Sequence, residues 1–450
     1  MARVPSSTMR GLALAPLVLA ACFKPAPQAG APCNDLGECP SGLSCIDNVC
    51  VTGPGSGPQP DACPGARCEG DTVVNCDGSV SQCPLGCSLD GGPHCLQLVP
   101  SNGVTVDLLD GVTGSLMADK LSFDTGSGQI RRQATIIRNG GEGLVDGVGF
   151  HIIDGMAVWS ALVFTLPPGE EWTFTNDHAV VLFAATTITV EGTLDLGANN
   201  AARGPGGNNG GQNATAVPCR GSAGKAFAVG FGEGGGGGGG ETAGGNGAPS
   251  NQTTFGSGGS QCSQPSAIPL RGGNGGGAGG FDGSLRGGAG GGGGGALALV
   301  AMLGITIDNA TIGAPGAGGL SGAAGDGGGG GGSGGAIMLE TPFLIVDDSA
   351  LTANGGGGAA GRASAGARGN LGSESTAAGG NFNGALGGRG GAGTTPPTNG
   401  QNFNDGATNT ISVGGGGGGA AGRIVFRTIS ASTTNTVVSP PASSSGIDVH

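Results

Sequence analysis

The sequence predicts an all-β protein: a parallel β-solenoid with long glycine-rich inserts, preceded by small disulfide-rich modules. Three observations point there. Short apolar runs alternate with period two, the runs recur as self-similar units, and most cysteines fall in even-numbered clusters near the N-terminus.

The runs are clearest between Gly327 and Gly358. Ile337 and Leu339 alternate with Ala336 and Met338, then come Leu344, Val346 and Leu351. Runs this short, β-branched and bounded by Gly, Pro and Asp read as half-buried strands, not helices. The unit recurs. Gly295–Leu299 matches Gly335–Leu339, Ile305–Asn309 matches Leu344–Asp348, and Ile312 matches Leu351. An earlier copy runs through Val180, Leu182, Ile188, Val190, Leu194 and Leu196, and a last half-copy is Gly422–Phe426. Units that cannot each bury a face alone stack into an array. A β-sandwich is the alternative.

Glycine makes up 106 of the 450 residues, tyrosine is absent, and tryptophan occurs only as Trp159 and Trp172, which argues against a conventional enzyme. Glycine has no side chain to bury and loses the most conformational entropy on ordering. The expectation is that the apolar runs hold the fold and the tracts hang from it as a poorly packed insert. Disorder and packing as extended glycine strands both remain open. No strict every-third glycine exists, so collagen is excluded. The net charge of −13 disfavours nucleic acid and anionic lipid as partners.

In chain order, residues 1–21 read as a signal peptide, with Arg3 and Arg10 before a short apolar core. It ends in Leu19-Ala-Ala-Cys22, which resembles the bacterial lipobox and makes Cys22 the expected lipidation site. Residues 22–32 are a Pro/Ala tether. Cys33, Cys39, Cys45 and Cys50 form a module at 33–50, residues 51–62 a linker, and Cys63, Cys68, Cys76, Cys83, Cys87 and Cys95 a module at 63–95. With Cys219 and Cys262 these read as disulfides of an exported chain, replacing a core that such small modules lack. The expected pairs lie inside the clusters, plus Cys219 with Cys262 closing a loop outside the core. There is no C-x-x-C pair, so no metal or other cofactor is expected. Residues 96–178 are β-rich, 179–429 are the glycine-interrupted solenoid, and 430–450 are a loose Ser/Thr/Pro tail.

The lipobox, CNDLGECPSGLSCIDNVC at 33–50, the second cysteine cluster and GGAIMLE…LTANGGGG together resemble the glycine-rich surface lipoproteins common in myxobacteria. That resemblance covers most of the mature chain. It implies an outer-membrane or cell-surface address and a β-helix-like architecture, and no chemistry.

The catalytic motifs are weak. Ser333 sits in a G-x-S-x-G pattern, but inside a glycine run and before a strand, where a nucleophile elbow needs strand-to-helix. Lys225 follows half of a phosphate loop without the Ser/Thr, and Gly140–Asp146 is a turn more than a calcium repeat. His94, His151, His178 and His450 are scattered. Asp308 aligns with Asp347, and Asn309 with Asp348, at the end of a core strand. Stacked, they would form a turn ridge, since Asp and Asn end strands by bonding local backbone. The same carboxylates carry the rival reading, a carbohydrate-active β-helix enzyme. The favoured reading is a lipid-anchored, non-catalytic structural or adhesive surface protein. Its partners would be the membrane and, beyond it, extracellular polysaccharide or other surface proteins. A non-catalytic polysaccharide-binding module is a further reading.

Overall fold

The computed structural model describes residues 44–46, 49–51, 66–75, 77–211, 219–225, 232–249, 254–262, 266–281, 287–323, 325–361, 364–382, 385–402 and 413–450. Cys22, Cys33, Cys39, Cys63 and Cys76 lie outside them. The chain divides into two compact units, Met1–Arg67 with Val74–Ser79, and Cys68–Val73 with Val80–His450. In the first, Ser44–Ile46 pairs antiparallel with Val49–Val51, Cys45 opposite Cys50. In the second, disulfides join Cys68 to Cys87 and Cys83 to Cys95.

The large unit is all-β, with one short 3-10 turn, Val106–Leu109, among the described residues. Two sheets of eight and twelve strands carry it, and neither closes on itself. Most of their strands lie parallel and in register, in layers. The first layer is Met156–Leu166 and Glu171–Thr175, and the second is Ala179–Val190 and Thr193–Asp195. The third is Ala296–Ala301, Gly304–Asp308 and Thr311–Gly313. The fourth is Ala336–Glu340, Phe343–Asp347 and Ala350–Thr352. The fifth is Arg423–Arg427, Ser430–Thr434 and Val437–Ser439.

Columns of side chains run through the layers. One is Trp159, Leu182, Leu299, Leu339 and Phe426. Another is Phe164, Ile188, Ile305 and Leu344. A third is Trp172, Leu194, Ile312, Leu351 and Val438. All but half-buried Val438 are buried in one core. Strand alternation sets which face points inward, and a one-residue slip would turn each set outward. The first strand of each layer is apolar on both faces because its outer face is also covered. Val158, Val181, Ala298, Met338 and Val425 meet Leu98, Val104, Ala267 and Leu270 in a second core. At the end of that face Glu340 is fully buried. It accepts from Arg427 Nε at 2.8 Å and from the Ser101 hydroxyl at 2.8 Å, which ties the covering segment to the last layers.

Two expectations fail in the layers. The region 96–178 already contains a complete earlier layer, built on Trp159, Phe164 and Trp172 instead of Leu and Ile, and joined to the next by a short turn instead of glycine. The tail is not loose. Ser430–Thr434 and Val437–Ser439 complete the fifth layer, Ser443–Ser445 pairs with Arg423–Arg427, and Asp448–Val449 pairs with Leu98–Val99. Ser and Thr suffice there because Ser430–Thr434 is exposed throughout.

The third expectation to fail is the insert. The seven-glycine run Gly234–Gly240 is buried, as are Gly292–Gly295, Gly327–Gly332 and Gly415–Gly419. Their hydrogen bonds follow a rule of three. The N–H groups of Gly235 and Gly238 donate to Gly328 and Gly331, those of Gly236 and Gly239 to Ser222 and Cys219, and those of Gly234 and Gly237 to Ala248 and Gly245. The carbonyls of the same run accept from Gly256 and Gly259, from Gly417 and Ala420, and from Gly277. Every third residue therefore addresses the same neighbour. That is the repeat of polyproline II, which has three residues per turn and no internal hydrogen bonds. The run is enclosed by other tracts on all sides and bonds to them sideways. Gly327–Gly335 repeats the arrangement, donating to residues 274–280, 414–420 and 314–320. The backbones pack so closely that a Cβ on nearly any of these glycines would collide with a neighbouring carbonyl. The tracts are a third core, made of backbone.

Candidate functional site

The tracts leave the layers at one corner and return to it. They depart after Asp195, Gly313 and Thr352, and run back in at Ala296, Ala336 and Arg423. The bundle thus has a near end against the layers and a far end. The disulfide Cys219–Cys262 lies at the near end, where Gly239 N–H donates to Cys219 O and Cys262 N–H to Gly240 O. It joins the flanks of the buried run, so the expectation of a loop outside the core is not met.

The far end lies around Glu233. Glu233, the residue before the buried run, is fully buried there. Its Oε1 accepts from the Thr254 hydroxyl at 2.5 Å, its Oε2 from the Lys225 N–H at 3.0 Å, and its main-chain oxygen from Gly280 N–H at 2.7 Å. Burying a carboxylate is costly unless such bonds satisfy it. Asp326, also fully buried, accepts from Ala323 N–H in the adjoining turn. The residues next to the groups that Glu233 holds are Phe255 and Phe281, 41% and 46% exposed. Sequence reasoning passed over all three. The signal was available, since Phe255 and Phe281 directly flank glycine tracts and Glu233 is the lone charge before the longest one.

Asp308 and Asp347 are register partners in adjacent layers. Each precedes a residue in the left-handed region, Asn309 at φ 51° and Asp348 at φ 42°, and Asn435 repeats this at φ 48° after Thr434. Asn and Asp tolerate that conformation best among residues with a side chain. Ser333 is fully buried inside a tract, where its hydroxyl accepts from Asn274 N–H at 2.8 Å. Neither arrangement brings further acid–base groups together. Among the described residues no three His, Cys, Asp or Glu side chains are placed to share a metal ion.

No protein family, curated protein or solved structure matches the chain. Perturbed side chains, which often mark active sites, here are Asp77 in the second cysteine module and Asp124, Arg138 and Asp177 in the β-rich region, and they serve structure. Burial pushes the Arg138 guanidinium below its ordinary pKa, with Asp146 opposing. It donates to the carbonyls of Gly128, Asn139, Gly141, Gly143 and Val148. An open cleft of about 560 Å³ lies between the disulfide module and the layers, lined by Leu85, Leu96, Val106, Met302 and Leu303 with Asp107 and Asp110.

Proposed function

We propose that the chain is a lipid-anchored, non-catalytic protein of the bacterial cell surface, a display scaffold in the manner of the glycine-rich surface lipoproteins it resembles. In this reading the layers are a short parallel β-solenoid, the cysteine modules are a stalk, and Cys22 carries the lipid in the outer membrane. The observation that carries it is the bundle. A large share of the chain is spent on interlocked glycine tracts whose interior is mostly backbone, and whose far end presents exposed Phe255 and Phe281 beside a buried anchor. Rigid scaffolds that present loops are a common basis for binding. The in-register layers support the solenoid.

The anchor is tested by expressing wild type and Cys22→Ser in a bacterium that processes lipoproteins. Wild type is expected in the detergent phase with acyl mass on Cys22, and the variant in the aqueous phase. On intact cells, added protease is expected to digest the wild type. A wild type lacking acyl mass would overturn the anchor, and one protected from protease would overturn the surface address.

A further inference from the structure

We propose that Ser430–Thr434, the second strand of the fifth layer, is a pairing edge for the same strand of a second copy of this chain, joined antiparallel about a two-fold axis at Ser432. The proposal goes beyond the surface-display reading.

The first observation is an open ladder. Ser430–Thr434 pairs in parallel with Phe343–Asp347 and with no other described strand. Ser430 N–H donates to Pro342 O, and Thr434 O accepts from Asp348 N–H, so Ser430, Ser432 and Thr434 direct their backbone groups to that neighbour. In a parallel ladder the residues between them face the other way. The N–H and C=O groups of Ala431 and Thr433 therefore point to the side where no described strand lies. All five residues are exposed, even Ala431 and Thr433, the register partners of buried Leu344 and Val346. The first strand of the same layer differs, since Ser443–Ser445 pairs with it.

The second observation is that this edge is unprotected and preformed. Native edges are blunted by charge, proline, bulges or a covering segment. Residues 429–439 hold no charged residue and no proline, and the pairing with Phe343–Asp347 runs without a bulge. The hydroxyls of Thr428 and Thr436 donate to Ser430 O at 2.9 Å and to Thr434 O at 2.8 Å, which fixes both ends. Little ordering is left to oppose association.

The third observation selects a second copy as the occupant. The two outward residues flank Ser432. Turned about that residue, Ala431 of one copy faces Thr433 of the other, and each such pair exchanges two N–H···O bonds. Such a self-complementary contact closes a two-fold dimer. Charge agrees with it. Each copy carries −13, so copies repel unless the contact keeps their acids apart. The edge itself is uncharged, and Asp347 and Asp348 lie beside its Thr434 end. The antiparallel turn sets that end against Ser430 of the other copy, away from the other copy's acids. Ile345, 49% exposed, stands beside Ser432 on the outer face, so the Ser432 pair would be flanked by an Ile345 from each copy.

Cysteines read the register. Ser432 facing Ser432 is a closely spaced pair with Cα atoms about 4.5 Å apart, within disulfide reach. Ser430 faces Thr434 and lies more than about 13 Å along the strand from Ser430 of the other copy. Full-length protein in detergent is oxidised mildly and run on a nonreducing gel. Ser432→Cys is expected to form a homodimer. Ser430→Cys and Thr434→Cys are each expected to stay monomeric alone and to cross-link when mixed. In sedimentation, wild type is expected to pass from monomer to dimer as its concentration rises. Thr433→Pro removes an outward N–H without touching the inner ladder. It is expected to weaken the dimer at least tenfold and to leave the melting temperature in place. A wild type that stays monomeric overturns the proposal, as does self-linking of Ser430→Cys or an undiminished dimer of Thr433→Pro. Cross-linking of Ser432→Cys on cells to a different protein, and not to itself, also overturns it and gives the edge to another partner.

Discussion

At Gly331 a single methyl group decides whether two backbones can lie side by side. A Cβ there would fall 2.0 Å from Gly356 O, far inside van der Waals contact, and the obstacle is main chain that no rotamer change can move. Gly331→Ala is therefore expected to cost about 1–3 kcal/mol, the usual range for overpacking. Gly446→Ala is the control, since a Cβ at Gly446 meets nothing within 4 Å. Its effect should be near zero or slightly stabilising, by restricting the unfolded chain. Thermal unfolding of the two variants separates them, and equal melting temperatures would show that the tracts yield easily. Glycine in these tracts is thus chosen for what it lacks, not for left-handed backbone. None of the glycines in Gly234–Gly240 or Gly327–Gly335 has a φ in that region.

The elements divide into those that side-chain pattern reveals and those it hides. Leu297, Leu299, Ile305, Ile307 and Ile312 stand in register with Ile337, Leu339, Leu344, Val346 and Leu351, and all are buried. Alternation made them legible, because each strand buries one face against a shared interior. The first layer was missed because Trp159, Phe164 and Trp172 fill the same columns with larger groups and no glycine tract follows them. The tracts could not be read at all by hydrophobic pattern, since their packing is carried by hydrogen bonds that leave no trace in side-chain identity. Deletions test this. Removing Gly235–Gly237 takes out one turn, so the groups that follow still address the same neighbours. Removing Gly235–Gly238 rotates them by a third of a turn. The longer deletion is expected to be much the worse, and worse also than Val346→Ala, which should cost on the order of 2 kcal/mol. Each buried peptide group left unpaired costs about 1–3 kcal/mol. Equal losses from both deletions would argue against the threefold repeat, and a loss smaller than that of Val346→Ala would show that the tracts contribute little to stability.

For the large unit as a whole, the layers and the bundle share their backbone hydrogen bonds across the junction. Gly335 N–H donates to Ala314 O, Ala336 N–H to Gly295 O, and Arg423 N–H to Gly335 O, so each ladder of strands continues into a ladder of tracts. A bundle whose buried apolar side chains are mostly alanines, such as Ala248, Ala278 and Ala359, has little hydrophobic drive of its own, because burial of apolar area is the main favourable term in folding. The bundle must then borrow its stability from the layers that align its tract ends. Local opening normally spans a wide range of free energies, with loops near zero and core strands near the global value. The amides of Gly235–Gly238 should behave as core despite lying in what the sequence presents as a loop. In native-state hydrogen exchange they are expected to open only with global unfolding, with the same free energy and denaturant dependence as Ile337 and Leu339. Val346→Ala should lower both sets by the same amount, since one cooperative unit has one stability. Tract amides that exchange through a separate, denaturant-independent opening, unaffected by Val346→Ala, would show that the bundle is held apart from the layers and that the far end is not rigidly supported.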